Sequence, residues 1–220
     1  MPAHPAVGRI ADTLVDSVFS SLAGRLDSRG GPVYPLHIGD SWLDPADGCR
    51  MEDLTVAAHP GLHRYTPTRG LPRLVHAIAA RVAERSGIDT GPENVLVSAG
   101  ATAGLTAVMH TILDPGDEVL ILAPYWPLIR GIVLCAHGVP TPVPILGRVA
   151  TSDELIEALE RARTPRSVAV YLSTPNNPSG GVLPRGWVDG LADWATSRGL
   201  WIVSDEVYED HVFEGEHRPA

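Results

Sequence analysis

Apolar residues fall along this chain in two rhythms, short unbroken runs and longer stretches striped every third or fourth position, and the two alternate from residue 95 onward. Val95, Leu96 and Val97 read as a short strand. A turn of small residues, SAGATAG, follows at 98–104, and residues 105–113 continue as an apolar helix that ends at Asp114-Pro115-Gly116. The run EVLILA at 118–123 predicts a strand buried on both faces, as in the interior of a parallel sheet. Residues 128–137 read as a helix and 139–145, VPTPVPI, as strand-like. At 151–163 the helix TSDELIEALERAR carries Thr151 and Glu154 at capping-box spacing, with Leu155, Ile156 and Leu159 facing inward. Val168 to Leu172 predict a buried strand that stops at Thr174-Pro175, and residues 200–203 another that stops at Ser204-Asp205. Between these two, residues 184–198 place Trp187, Leu191, Trp194 and Ala195 on one helical stripe, with Gly199 at the end. Strand, crossover helix, strand makes the two strands parallel neighbours whose polar tips share one carboxyl edge.

The first third is less regular. Ile10, Leu14, Val18 and Leu22 have helical spacing until Gly30-Gly31-Pro32, which fits an arm laid on a second subunit or a helix covering its own domain. A short extended run then reaches Gly39-Asp40. His59 and His63 stand four apart, but Pro60 and Gly61 between them make a helix improbable and argue against a metal site. Beyond Tyr65 and Gly70 a helix is predicted with Leu71, Leu74, Val75, Ile78 and Val82 packed inward.

Composition narrows the classes. At 220 residues and 44% hydrophobic, the chain can bury a real core as one domain or a domain plus an arm. A net charge of -9 argues against nucleic acid or an anionic membrane as partner. Two cysteines, Cys49 and Cys135, make no disulfide framework. No apolar run reaches spanning length and the first residues lack a secretory pattern, so the expected location is cytoplasmic.

The chemistry gathers at the two strand tips. Open α/β sheets bind ligands at the carboxyl edge, and there Asn177 offers an amide, Asp205 a carboxylate and Tyr208 a phenol. A carboxylate beside a pyridine nitrogen keeps it protonated, so this set suits a flat aromatic cofactor with a ring nitrogen and a ring hydroxyl. STPNNPSGG and SDEVYED, at 173–181 and 204–210, resemble the two signature segments of the fold-type I, pyridoxal-phosphate-dependent aminotransferases of class I/II. The resemblance runs from about Gly39 to Tyr208.

It implies Asp205 on the cofactor's pyridine nitrogen, and Asn177 and Tyr208 on its phenolic oxygen. Gly100, Ala101 and Thr102 are assigned to the phosphate, because small residues before a helix leave backbone N–H groups free for an anion, although close strand-to-helix packing asks for the same residues. Trp126 is placed on the ring face, with Tyr125 as the local alternative and an aromatic core plug as the plainer reading. Tyr65 would reach a neighbouring subunit's cofactor phosphate in a homodimer, or else be a surface tyrosine, and Gly39 would lie beside the substrate carboxylate. The expected fold is an α/β large domain, a mostly parallel sheet flanked by helices, incomplete at its C-terminal side. Residues 46–220 would form it, and residues 1–45 an N-terminal arm and small-domain segment. Asn177-Pro178, and Ala123-Pro124 after it, are expected to be cis.

One count bears on catalysis. All 17 residues of the Lys+Arg total are arginine, so the chain has no lysine. The family holds its cofactor covalently on a lysine a few dozen residues beyond the Asp-Glu-x-Tyr segment, and this chain ends before that point. The implied function is amino-group transfer between an amino acid and a 2-oxo acid, with this polypeptide alone expected to be inactive. Alternatives are a non-catalytic truncated product and a pyridoxal-phosphate-dependent lyase of the same fold. A dinucleotide-binding domain is disfavoured, since SAGATAG does not match Gly-x-Gly-x-x-Gly.

Overall fold

Alternate residues from Pro140 to Pro144 are proline, and that alone decides where their strand can lie. In the computed structural model, which describes residues 10–14, 25, 32, 34, 39 and 43–220, this strand is β2, Val139–Pro144. It sits at one edge of a four-stranded parallel sheet of order β2-β1-β3-β4. Its neighbour is β1, Glu118–Ala123. Val139 donates to Asp117 and Ile145 to Ala123, so the amides of this parity face β1 and the prolines, which have none, face outward. An edge without donors resists pairing with a stray strand.

The middle of the sheet is apolar on both faces, as the unbroken runs predict. Val119, Leu120, Ile121 and Leu122 of β1 are buried, and so are Ala169, Val170, Tyr171 and Leu172 of β3, Ser167–Ser173. β4, Trp201–Asp205, lies beside β3 in parallel, with Ser173 opposite Asp205. The predicted crossover is observed as well: a helix, Arg185–Arg198, joins β3 to β4 and ends on Gly199 at φ 66°, a left-handed turn that glycine adopts freely.

Strand parity sorts the core into two layers. One face takes Val119, Ile121, Ala169, Tyr171 and Val203, and packs against Leu105, Met109, Ile129, Ile132 and Val133. The other takes Leu120, Leu122, Val143, Val170 and Leu172, and packs against Leu155, Leu159, Leu191, Trp194 and Ala195. The helices described from end to end are, in chain order, α1, Pro72–Ser86; α2, Ala101–Ile112; α3, Leu128–Cys135; α4, Ser152–Ala162; and α5, the crossover helix. Thus α2 and α3 cover one face while α4 and α5 cover the other. None of the helices among the described residues is long and apolar enough to cross a membrane.

The capping box is present with one change of partner. Thr151 Oγ1 accepts the Glu154 amide at 3.2 Å, whereas the Glu154 carboxylate takes the Ala150 amide at 2.6 Å rather than that of Thr151. Three expectations need correction. Residues 95–97 form no strand: among the described residues none lies alongside to pair with them, and Val97 N–H binds the Arg69 carbonyl at 2.9 Å. That contact uses a close approach at Gly70, where φ is +117° and an added Cβ would lie 2.6 Å from Val97. On α1 only Val75 and Ala79 are buried, with Ile78 and Val97 packed beside them, while Leu71, Leu74 and Val82 stay exposed because one narrow contact covers the helix. At the N-terminus, Ala11–Thr13 form a single 3-10 turn and Leu14 is extended, so the predicted helix does not run through residues 10–14; of its remainder only Arg25, which is helical, is among the described residues. The segment around His59 and His63 consists of turns, with both side chains exposed.

Candidate functional site

All four strands point the same way, so the loops after β1, β3 and β4 leave from a single carboxyl edge. Helix α2 delivers its N-terminus to that edge. Its far end, around Leu113, packs against Gly138 at the opposite edge, and twelve residues of helix rise about 18 Å.

Asp205 closes β4. It shares parity with Val203, so its side chain leaves the sheet toward the α2 and α3 face, and it is half-buried. The hydroxyl of Tyr171, two positions back along β3 from Ser173, donates to Asp205 Oδ2 at 2.8 Å. The Val207 amide approaches Oδ1 at 3.4 Å, and among the described residues Asp205 has no salt bridge. Tyr171 itself is fully buried. Desolvation pushes its phenol well above the usual range, and the bond to Asp205 adds to this.

Asn177 and Tyr208 line one open cleft with Pro175, Asn176, Pro178, Gly180, His211 and Phe213. Neither the Asn177 amide nor the Tyr208 hydroxyl has a hydrogen-bond partner among the described residues, so both are free for a ligand. The loop that presents Asn177 is braced by its neighbour. Asn176 donates to the Pro124 carbonyl at 3.0 Å, accepts from Ser179 at 2.8 Å, and forms backbone bonds with Gly180 and Gly181. The peptide bonds Asn177-Pro178 and Ala123-Pro124 are cis as expected, and Thr174-Pro175 is cis also. Beyond Tyr208, Arg81 and Arg85 of α1 grip Asp210 at 2.7 and 2.5 Å, which fastens this segment to α1. Glu206, Glu209 and His217 bring ligand atoms within 4.8 Å of one another. The guanidinium groups of Arg85 and Arg81, 3.5 and 3.6 Å from Glu209, already provide a cation there.

The remaining predicted residues divide. Trp126 is half-buried against the core layer that contains Tyr171, as is Tyr125, so packing alone does not choose between them. Gly100 is the N-cap of α2 at φ 83°, with no side-chain cap, and Ala101 and Thr102 are exposed in the first turn. The Gly100 amide is already taken, donating to the Ser98 carbonyl at 2.8 Å, so of the three assigned positions the helix start offers an anion the amides of Ala101 and Thr102. Tyr65 is fully exposed and touches none of the others, and Gly39 is exposed with open space around it.

Comparison with known proteins decides the family. Residues 36–220 match the family described as aminotransferase class I and II. The chain belongs to the class I and II aminotransferases. It is 34% identical over 207 residues to the aspartate aminotransferase of Streptomyces avermitilis, covering 94% of this chain and 50% of that protein. A probable aspartate aminotransferase of Streptomyces griseus is 31% identical, covering 91% of this chain and 93% of that one. Among solved structures, Thermus thermophilus aspartate aminotransferase with maleate superposes with a TM-score of 0.82 at 30% identity, covering 98% of this chain and 57% of that one. The chain therefore spans about half the length of most of these aminotransferases.

Pyridoxal 5'-phosphate, the cofactor implied for this family, meets a donor set that fits it: among the described residues, a carboxylate without a cation, a free amide, a free phenol and an uncapped helix start. Sequence reading missed Tyr171, which it placed only as a buried strand residue. The available signal was a lone hydroxyl in the otherwise aliphatic run VAVYL, since a buried phenol needs a partner.

Proposed function

We propose that this chain is the cofactor-binding part of an aminotransferase that moves an amino group between an amino acid and a 2-oxo acid. The observation that carries this reading is Asp205, a half-buried carboxylate at the carboxyl edge answered, among the described residues, only by neutral donors. A negative charge left uncompensated in such a place favours a ligand that brings its own positive charge, and a protonated ring nitrogen does so.

In this reading Asp205 holds a proton on the ring nitrogen of pyridoxal 5'-phosphate. Asn177 and Tyr208 donate hydrogen bonds to the ring oxygen, and the first amides of α2, at Ala101 and Thr102, hold the phosphate with the hydroxyl of Thr102, while Gly100, with no side chain and open space beside it, lets the phosphate approach. Trp126 covers the ring face and excludes water. When bound, the cofactor supplies an electron-withdrawing ring that stabilises negative charge at the substrate's α-carbon. Gly39 keeps the approach of the substrate carboxylate clear. Tyr65, exposed here, reaches the phosphate of a partner subunit in a homodimer, and residues 1–45 serve as arm and small-domain segment beside the large domain of 46–220.

The names of relatives, aspartate aminotransferase among them, suggest a dicarboxylic amino donor. A non-catalytic binding role stands as the second reading, favoured by the lack of any lysine among these 220 residues to bond the cofactor. Calorimetric titration with pyridoxal 5'-phosphate tests what the two share, and saturable one-to-one binding is expected. Absence of binding would remove both. Aspartate-dependent conversion of 2-oxoglutarate to glutamate, followed by mass spectrometry, separates them.

A further inference from the structure

We infer that Tyr171 is a positioning residue for Asp205: its buried hydroxyl fixes one oxygen of the carboxylate while leaving the negative charge whole for the cofactor's ring nitrogen. The inference rests on the cofactor reading above and adds to it a residue in the strand next to the one that carries Asp205.

Tyr171 is completely buried in the layer formed with Leu105, Met109, Ile121 and Ile129. Phenylalanine would fill that space without burying a polar atom, so the hydroxyl carries a cost that only a partner offsets. Its partner is Asp205 Oδ2 at 2.8 Å, two residues along β4 from Val203, the residue that pairs with Tyr171. An ionised carboxylate only accepts, so the phenol donates and the direction of the bond is settled. The second oxygen keeps just a long contact of 3.4 Å with the Val207 amide, and its lone pairs remain available. An arginine in place of Tyr171 would hold the carboxylate equally firmly but would cancel its charge. A neutral phenol orients without neutralising, which is the property a carboxylate needs if it is to keep a ring nitrogen protonated. The two groups sit on neighbouring paired strands, β3 inside the sheet and β4 beside it, so the orientation is set before any ligand arrives.

The test compares two ligands. The 220-residue chain and its Tyr171→Phe variant are titrated by calorimetry with pyridoxal 5'-phosphate and with the analogue whose ring nitrogen is replaced by carbon. The variant is expected to lose about tenfold in affinity for pyridoxal 5'-phosphate, the loss of one hydrogen bond to a charged group, and to bind the carbon analogue as the parent does. In an Asp205→Asn background, Tyr171→Phe should add nothing to the loss. Equal weakening toward both ligands would make Tyr171 a packing residue and overturn the inference, and so would an unchanged affinity for both. Within the parent chain, the hydroxyl proton of Tyr171 should shift in the NMR spectrum on adding pyridoxal 5'-phosphate and stay in place with the analogue. No shift with either ligand, at saturation, also overturns it. If the parent binds neither ligand, the cofactor reading fails first; if the parent binds normally and the variant matches it, only Tyr171 loses its role.

Discussion

Asp205 and Glu160 each accept a hydrogen bond from an aromatic side chain at 2.8 Å, one from the hydroxyl of Tyr171 and the other from the indole N–H of Trp194. Their surroundings are opposite. Glu160, on α4, also accepts from Arg163 at 3.0 Å and from Arg198 at 3.1 Å, and these bonds, led by that of Arg163, hold its carboxyl at about 2. Its charge is spent within the fold, where it ties α4 to α5. Asp205 has a phenol and one distant amide, and among the described residues no cation within reach. Similar contacts therefore serve different ends: one carboxylate is a clasp between two helices and the other a charge kept in reserve at the edge where ligands bind. The faces of the sheet differ in the same way. The α4 and α5 face places its polar link at the surface, while the α2 and α3 face carries its link inward, on the buried Tyr171 of the layer against which Trp126 packs.

The largest effect that bears on this contrast is one of packing. Leu191, fully buried on α5 one turn before Trp194, holds that helix to the sheet. Leu191→Ala is expected to cost about 2–5 kcal/mol in urea unfolding, with pyridoxal 5'-phosphate affinity of the folded fraction unchanged. An equal loss of affinity would show that the two faces are not separable.

Next comes the reserved charge. Asp205→Ala is expected to weaken pyridoxal 5'-phosphate binding by roughly 10- to 100-fold, as for a lost charge-assisted hydrogen bond. The fold should survive, although the Tyr171 hydroxyl is left without its partner. Glu160→Ala should do the reverse, lowering the thermal midpoint and leaving affinity alone. If Asp205→Ala acts mainly on the midpoint, Asp205 is a clasp too and the contrast collapses.

How far the sequence foretold all this depends on whether the physics was local. The apolar runs at 118–123 and 168–172, the stripe at Leu191 and Trp194, and the Thr151 cap are decided by neighbours in the chain, and they stand in the structure where the pattern puts them. The strand expected at 95–97 depends on a partner strand elsewhere, and periodicity cannot supply one. Leu71, Leu74 and Val82 have the spacing of a core face, but spacing does not say how wide a contact another element will offer. Asn177 and Tyr208 were legible as a pair because each ends or follows a strand of one crossover unit, and a single cleft holds both. Tyr171 was not, because its importance comes from register: only when Ser173 is set opposite Asp205 does the phenol fall within reach of the carboxylate.

A smaller effect separates the two carboxylates by acid. Glu160 has a folded-state value of about 2 against an ordinary 4.5, so its contribution to stability is complete above about 4.5 and is lost as pH falls from there toward 2. The group lies near the surface, where solvent and salt screen it, so the change is small. Comparing thermal midpoints at pH 5 and pH 3 for the parent and for Glu160→Gln should reveal it: the parent is expected to lose more than the variant, by about 2–4 °C at low salt. Raising salt to 1 M should shrink that difference, because ion pairs with Arg163 and Arg198 are screened while the bond from Trp194 is not. A difference that persists unchanged in high salt would mean that the indole, rather than the two arginines, carries the clasp. Glu160 would then resemble Asp205 in depending on a neutral donor, and the separation between a spent and a reserved carboxylate would rest on Asp205 alone.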